Sequence, residues 1–207
     1  MAAGLEPEVI LYDLACTKNT CFSPALWRIR LMLNYKCIPY ETICLEFPDN
    51  ESTLKELGLR APESSSGAKI KYTVPHPSPT SSKSTYSDPP LQLTSDLGQE
   101  IESKACTAIG PILSPRPQEY FRRTREAALG AWTDVEHKMR AVGELMLTNK
   151  GEGTFVLGAN LSATDFFVAG SLHAARVVDE GVFERIMGFP EYGEVYEACV
   201  GWMEKRD

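Results

Sequence analysis

The chain has 207 residues, 43% of them hydrophobic, enough to bury a sizeable core as one large domain or two small ones. A formal net charge of −7 argues against a phosphate-backbone partner, since nucleic-acid affinity rests on clustered Lys and Arg. No run approaches the ~20 apolar residues that cross a bilayer, and the opening MAAGLEPEVILYDLA lacks the basic and apolar regions of a signal peptide. A cytoplasmic protein is expected, with small molecules or proteins as partners, no nucleic acid and no membrane. Cys16, Cys21, Cys37, Cys44, Cys106 and Cys199 show no close paired spacing typical of zinc sites, so they read as reduced thiols, without a metal or a disulfide framework.

In chain order, VILYDLA (9–15) and YETICLEF (40–47) read as strands, the second placing Ile43, Leu45 and Phe47 on one side. Between them Leu26, Ile29 and Leu33 recur at helical spacing from Pro24 onward, which predicts a βαβ unit with a parallel pair and a right-handed crossover. ESTLKELGL reads as a short helix and RAPESSSGA as loop. KIKYTVP alternates like a strand, and the Pro- and Ser-rich stretch 76–90 reads as a long loop. LQLT then resumes alternation, and SDLGQEIESKACTAIG carries Leu97, Ile101 and Ala105 on one helical face behind a Ser or Asp cap. Beyond PILSPRP only helical patterns remain, in QEYFRRTREAAL, AWTDVEHKMRAVGELMLTN, SATDFFVAGSLHAARVV and EYGEVYEACVGWMEKR. The expected division is an α/β first domain over 1–110 and an all-helical second domain over 111–207, with no internal repeat.

Three local sequences give this order a family resemblance. SPALWRIRLMLNYKCIPYE is similar to the glutathione transferase pattern, in which a Ser, Cys or Tyr precedes the first helix. Its Trp27-Arg28-Ile29-Arg30 segment resembles the zeta class and a large fungal group in particular. KYTVP resembles the place where the family sets a cis-proline, and LSATDFF resembles the Ser/Thr-x-x-Asp capping box of its buried helix, with Ser162 and Asp165 in those roles. QEYFRRTRE also looks like the fungal group. The fold implied is a thioredoxin-like N-terminal domain followed by an all-α C-terminal domain.

The resemblance implies that Ser23 donates a hydrogen bond to the glutathione sulfur, helped by the positive end of the following helix. Read from the residues alone, Ser23-Pro24 is an ordinary helix start, with Ser capping and Pro at the first helical position. Both readings stand. Cys21 is either a buried thiol or a partner for a mixed disulfide with glutathione, and Cys16 and Asn19 are second choices near the sulfur. Val74 and Pro75 are implied to pair with the cysteinyl backbone of glutathione. Where the family has Glu-Ser or Gln-Ser at the next helix start, this chain has Ser95-Asp96, in reversed order. Those two, or alternatively Asp88 before Pro89, are implied to hold the γ-glutamyl group.

Arg176 lies one position from a zeta-class arginine that serves an acidic substrate, and also suits a solvated helix end. Ser162 and Asp165 are assigned to folding, and His137 and His173 to no catalytic role. Trp132 and Phe121 read as core, with a substrate pocket as the alternative.

The expected activity is a glutathione-dependent transferase acting on an electrophilic, largely apolar small molecule bound between the domains. Glutathione is the expected cofactor and a homodimer the expected assembly. Two alternatives stand beside it: cis/trans isomerisation of a conjugated alkene, and non-catalytic binding of glutathione or another ligand. Secondary metabolism and detoxification are equally compatible with the sequence.

Overall fold

The computed structural model describes residues 9–14, 21–58, 95–113 and 125–204. The predicted strand KIKYTVP, the 76–90 loop, LQLT, and residues Cys16, Asn19, Val74, Pro75, Asp88 and Phe121 lie outside them.

β1 (Val9–Leu14) and β2 (Tyr40–Leu45) pair in parallel, from Val9 opposite Tyr40 to Leu14 opposite Leu45. A parallel pair needs a long crossover, and α1 (Pro24–Tyr35) supplies it. Pro24 starts this helix because its fixed φ is already helical and its missing N–H would have had no partner there. The helix buries Leu26, Trp27, Leu31 and Asn34, a stripe that winds along one side.

β2 ends at Leu45, two residues earlier than the alternation of Phe47 implied, because Phe47 and Pro48 open α2 (Phe47–Glu56). Proline cannot donate to a strand ladder but fits the first turn of a helix. α2 anchors itself through Leu54, which is 2% exposed.

α3 (Asp96–Leu113) runs unbroken past residue 110, so the expected division at that point falls inside a helix. Its partners lie in the helices that follow. Ile101, Ala105 and Ala108 share a core with Val135, Met139 and Val142 of α4 (Arg125–Met146) and with Val168, Leu172 and Ala175 of α5 (Ala163–Val178). α3 therefore packs with the helices that follow it. The Ser95 hydroxyl caps it, accepting the Gly98 N–H at 3.2 Å.

α4 joins the end of QEYFRRTREAAL to AWTDVEHKMRAVGELM in one 22-residue helix, where the sequence had suggested two. Gly130 between the two patterns does not stop it. α6 (Glu180–Met187) was not predicted; its cue is Asp179, whose carboxylate accepts from the Gly181 and Val182 amides at 2.9 and 3.2 Å. α7 (Pro190–Cys199) closes the bundle, and the Tyr192 hydroxyl donates to the Met139 carbonyl of α4 at 2.9 Å.

α5 sits at the centre, in contact with α1, α3, α6 and α7. The capping box at its start is present. Asp165 Oδ2 accepts the Ser162 amide at 2.7 Å, and Oδ1 accepts the Val156 amide at 2.8 Å. The Ser162 hydroxyl accepts the Asp165 amide at 3.4 Å. Asp165 is fully buried, and burial holds its pKa above the usual carboxylate range even with these donors.

On the opposite side of α5, Gly170 lets α1 approach. A Cβ at that position would lie 2.9 Å from the Arg28 amide nitrogen and 3.1 Å from Trp27 Cβ. The first of these is a backbone atom and cannot turn aside.

Two stability outcomes follow from α5. Gly170→Ala gains up to ~1 kcal/mol in helix propensity but overpacks the α1 contact by ~1–3 kcal/mol, so the urea midpoint falls at unchanged slope. Ser162→Ala costs about 1 kcal/mol. Asp165→Ala costs about 3 kcal/mol or more, since it strands two buried amides at ~1–3 kcal/mol each; urea titration of the two variants shows this order.

Candidate functional site

The segment Cys21-Phe22-Ser23 leads in extended form into α1, with Ser23 at φ −86° and ψ 119°. Although Ser23 stands at the capping position, its hydroxyl makes no capping hydrogen bond. Its carbonyl is used instead, accepting the Trp27 amide at 3.0 Å and the Cys21 thiol at 3.7 Å. A half-buried hydroxyl is thus left at the positive end of a 12-residue helix. Such a group can donate to a thiolate or another anion.

Cys21 is not set up for that chemistry. It is buried, and burial first, then the charge of Asp13, push its thiol pKa far up, so it stays protonated at neutral pH.

Asp13 is 0% exposed and its Oδ2 takes two hydrogen bonds from Arg30, from Nε at 3.1 Å and from Nη2 at 2.5 Å. Burial works against the Arg30 charge, but the hydrogen bonds and charge of Asp13 outweigh it and hold the guanidinium pKa above its ordinary value. Arg28, two residues earlier, grips Glu102 of α3 with both terminal nitrogens, at 3.0 and 3.2 Å. Thr164 of α5 donates to the same carboxylate at 3.0 Å. Both arginines of the Trp27-Arg30 segment therefore face protein carboxylates.

Ser95 and Asp96 make no hydrogen bond to Ser23 among the described residues. The Ser95 side chain is engaged as a cap, and Asp96 is exposed on the first turn of α3. Arg176 is exposed near the end of α5, its guanidinium 5.5 Å from the Phe183 ring and beside the Tyr196 hydroxyl, as a helix-end arginine would be.

His173 has a structural place that the sequence did not show. Its ring meets Trp27 of α1 edge-on at 4.1 Å between centroids, and its Nδ1 lies 3.1 Å from the Tyr196 hydroxyl. Burial, then the charge of Arg176, lower its pKa to about 4.

A cleft of about 400 Å³ opens elsewhere, between α4 and the α6–α7 turn. Trp132, Glu136, Arg140, Arg185, Phe189 and Glu191 line it. Arg140 stacks 5.1 Å from the Phe189 ring and Arg185 5.8 Å from Trp132, so the two guanidiniums stitch its walls together. Trp132 is thus a wall residue more than a core residue. Of the predicted glutathione-site residues that are described, Ser23, Ser95 and Asp96 do not line this cleft. Among the described residues no group of His, Cys, Asp and Glu is placed to hold a metal ion, and no helix is long and apolar enough to cross a membrane.

A family model for the C-terminal domain of glutathione S-transferases matches residues 93–189. Over that span the chain is similar to the C-terminal domain of glutathione S-transferases. The matched span takes in all of α3, together with Ser95 and Asp96. A curated relative, the glutathione S-transferase-like protein ustS of Aspergillus flavus, is 27% identical over 257 aligned positions, covering 96% of this chain and 92% of its own.

Glutathione transferase GSTFuA3 from Phanerochaete chrysosporium superposes with a TM-score of 0.71 at 22% identity, over 99% of this chain and all of that one. CsGST63524 of Ceriporiopsis subvermispora, solved in complex with glutathione, gives a TM-score of 0.66 at 23% identity, over 96% and 98% of the two chains. The fold is accordingly a thioredoxin-like N-terminal domain followed by an all-α C-terminal domain.

The folded protein accommodates His173 only in its neutral form, so unfolding takes up a proton once the pH drops below the ordinary imidazole value of ~6.5. The associated stabilisation is complete above that pH and is lost as the pH falls towards about 4. After allowance for partial solvent contact it amounts to about 2 kcal/mol. Urea unfolding of wild type and His173→Gln should show the wild type losing more stability between neutral and acid pH.

Proposed function

We propose that the protein is a glutathione-dependent transferase that binds glutathione against its N-terminal domain and attacks an electrophilic, largely apolar small molecule with the sulfur. The observation that carries this reading is the Ser23 hydroxyl, which stands at the start of α1 and is not used as a cap. In the proposed complex it donates to the sulfur, while the helix dipole favours the anion. A free thiol near the reference pKa of ~8.5 is mostly protonated at neutral pH, so stabilising the thiolate by ~1.4 kcal/mol raises its reactive fraction nearly tenfold.

In the same reading Val74 and Pro75 meet the cysteinyl backbone of glutathione. Ser95 and Asp96 are released from the γ-glutamyl role, because α3 packs with the helical domain and Ser95 is already its cap. Asp88 then becomes the acid for the γ-glutamyl ammonium, and the domain boundary moves to about residue 93, where the family match begins. A cytoplasmic homodimer completes the proposal.

The isomerase alternative drew on the Trp27-Arg28-Ile29-Arg30 segment. With Arg28 paired to Glu102 and Arg30 to Asp13, both guanidiniums are engaged by protein carboxylates, which disfavours their use on an acidic alkene. Conjugation is therefore the reading we favour.

Calorimetric titration of glutathione into wild type and Ser23→Ala, with ultraviolet titration of the bound thiol, tests it. Both forms should bind, and the variant should hold about tenfold less thiolate at neutral pH, with a similar fall in kcat/KM on a standard electrophile. Absence of glutathione binding to wild type would remove the enzyme reading. Binding without turnover, unaffected by Ser23→Ala, would make the protein a ligand carrier.

A further inference from the structure

The buried charges beside Ser23 have no evident part in packing economy. A buried ion pair rarely stabilises a fold more than apolar residues of the same volume would, and this one is imperfect. Asp13 is fully buried, and among the described residues its Oδ2 takes both bonds from Arg30 and the Cys21 thiol interacts with the carboxylate, while Oδ1 has no nitrogen or oxygen donor. An unsatisfied buried carboxylate oxygen carries a desolvation cost, and natural folds tolerate such groups where something else is gained.

What the pair holds is Trp27. The Arg30 guanidinium lies 5.7 Å from the Trp27 ring and 6.0 Å from the Tyr40 ring of β2, pinned between them by Asp13 of β1. His173 bounds the Trp27 ring as well, at 4.1 Å. These neighbours bound the indole on two sides, and its Nε1–H donates to the Cys21 carbonyl at 2.9 Å in a buried bond. Cys21 in turn directs its thiol to the Ser23 carbonyl at 3.7 Å. The path from β1 to the candidate site is continuous: Asp13 to Arg30, Arg30 to Trp27, Trp27 to Cys21, Cys21 to Ser23.

This path bears on a choice that Ser23 faces. A serine at a helix start ordinarily turns its hydroxyl onto the free amides of the first turn. Here that bond is not made, and Ser23 itself is extended, at φ −86° and ψ 119°.

We propose that Asp13 and Arg30 are positioning residues that act through Trp27: by fixing its indole on the Cys21 carbonyl they hold residues 21–23 extended, with the Ser23 hydroxyl turned away from the helix amides and towards the glutathione sulfur. The proposal rests on the reading of Ser23 as the thiolate donor. It makes the Arg30 charge a means of aiming a neutral hydroxyl, with no contact between Arg30 and the substrate.

The test is the ultraviolet titration of the glutathione thiol bound to three variants, each made in the wild-type and the Ser23→Ala backgrounds. Arg30→Met keeps the stem and removes the fork; Trp27→Phe keeps the ring packing and removes the N–H; Asp13→Leu with Arg30→Met removes both charges, leaving none unpaired. Near-ultraviolet circular dichroism selects the variants that fold, and the apolar double variant covers the case in which the single charge deletion does not.

Each folded variant should raise the bound thiol's titration midpoint by about one pH unit, equivalent to ~tenfold less thiolate at neutral pH. Glutathione affinity by calorimetry should stay within about threefold. In the Ser23→Ala background the same changes should add nothing, as expected for groups that act as one unit.

A midpoint that moves with Ser23→Ala but not with the folded variants would overturn the positioning role and leave the Ser23 reading intact. So would a shift of equal size in both backgrounds, which would mean that the pair acts on the sulfur without Ser23. If Ser23→Ala itself leaves the midpoint unmoved, or wild type binds no glutathione, the Ser23 reading falls and this proposal with it.

Discussion

The close approach of α1 to α5 at Gly170 is the contact on which the rest of the molecule depends. Because the glycine has no Cβ, the backbone of Arg28 comes within reach of the buried helix, and the side chains on either side of it can then interlock. Trp27 meets His173 on one side, and Leu31 shares a core with Phe166 and Ala169 on the other. The Arg28–Glu102–Thr164 cluster then ties α1, α3 and α5 together. Were the two helices further apart, none of these contacts would form, and the short parallel sheet would have little of its own to rest on. Among the described residues the β1–β2 pair is covered by α1, and a strand pair gains stability from such helix packing.

The same contact separates two kinds of charge near the start of α1. The arginines are neutralised by Glu102 and Asp13 inside the protein, while the helix terminus keeps its partial positive charge and an available hydroxyl. A protein that placed free guanidinium groups there would attract any small anion. One that presents a neutral donor and a helix end can instead favour a sulfur anion delivered by a larger ligand bound along the domain. In the proposed complex a protonated Cys21 adds no second thiolate to repel the glutathione sulfur or exchange with it.

The helical half is organised around α5 in a comparable way. Its capping box fixes where the helix starts, and the Tyr192 hydroxyl on the Met139 carbonyl fixes how α7 lies on α4. The stacked pairs Arg140–Phe189 and Arg185–Trp132 hold the wall of the cleft on that side. Both rings and both guanidiniums are used in that contact, which makes the cleft a by-product of stitching α4 to the α6–α7 turn.

The sequence by itself determined the local elements and the family resemblance, because those are written in short-range patterns. Alternation marked β1 and β2, the spacing of Leu26, Ile29 and Leu33 marked α1, and Ser162 with Asp165 marked the start of α5, each within a few residues of the chain. Only the tertiary structure decided what the chemistry-bearing residues touch. Ser95 and Asp96 read as part of the glutathione domain because they follow a strand-like run, but the helix they open buries Ile101 and Ala105 against α4 and α5, far along the sequence. Arg28 finds Glu102 across 74 positions and Arg30 finds Asp13 across 17, and no periodicity encodes such pairings. The Ser23 hydroxyl was undecided for the same reason. Whether it caps α1 or faces outward depends on the Trp27 indole and on what holds that indole in place, and both are set by packing.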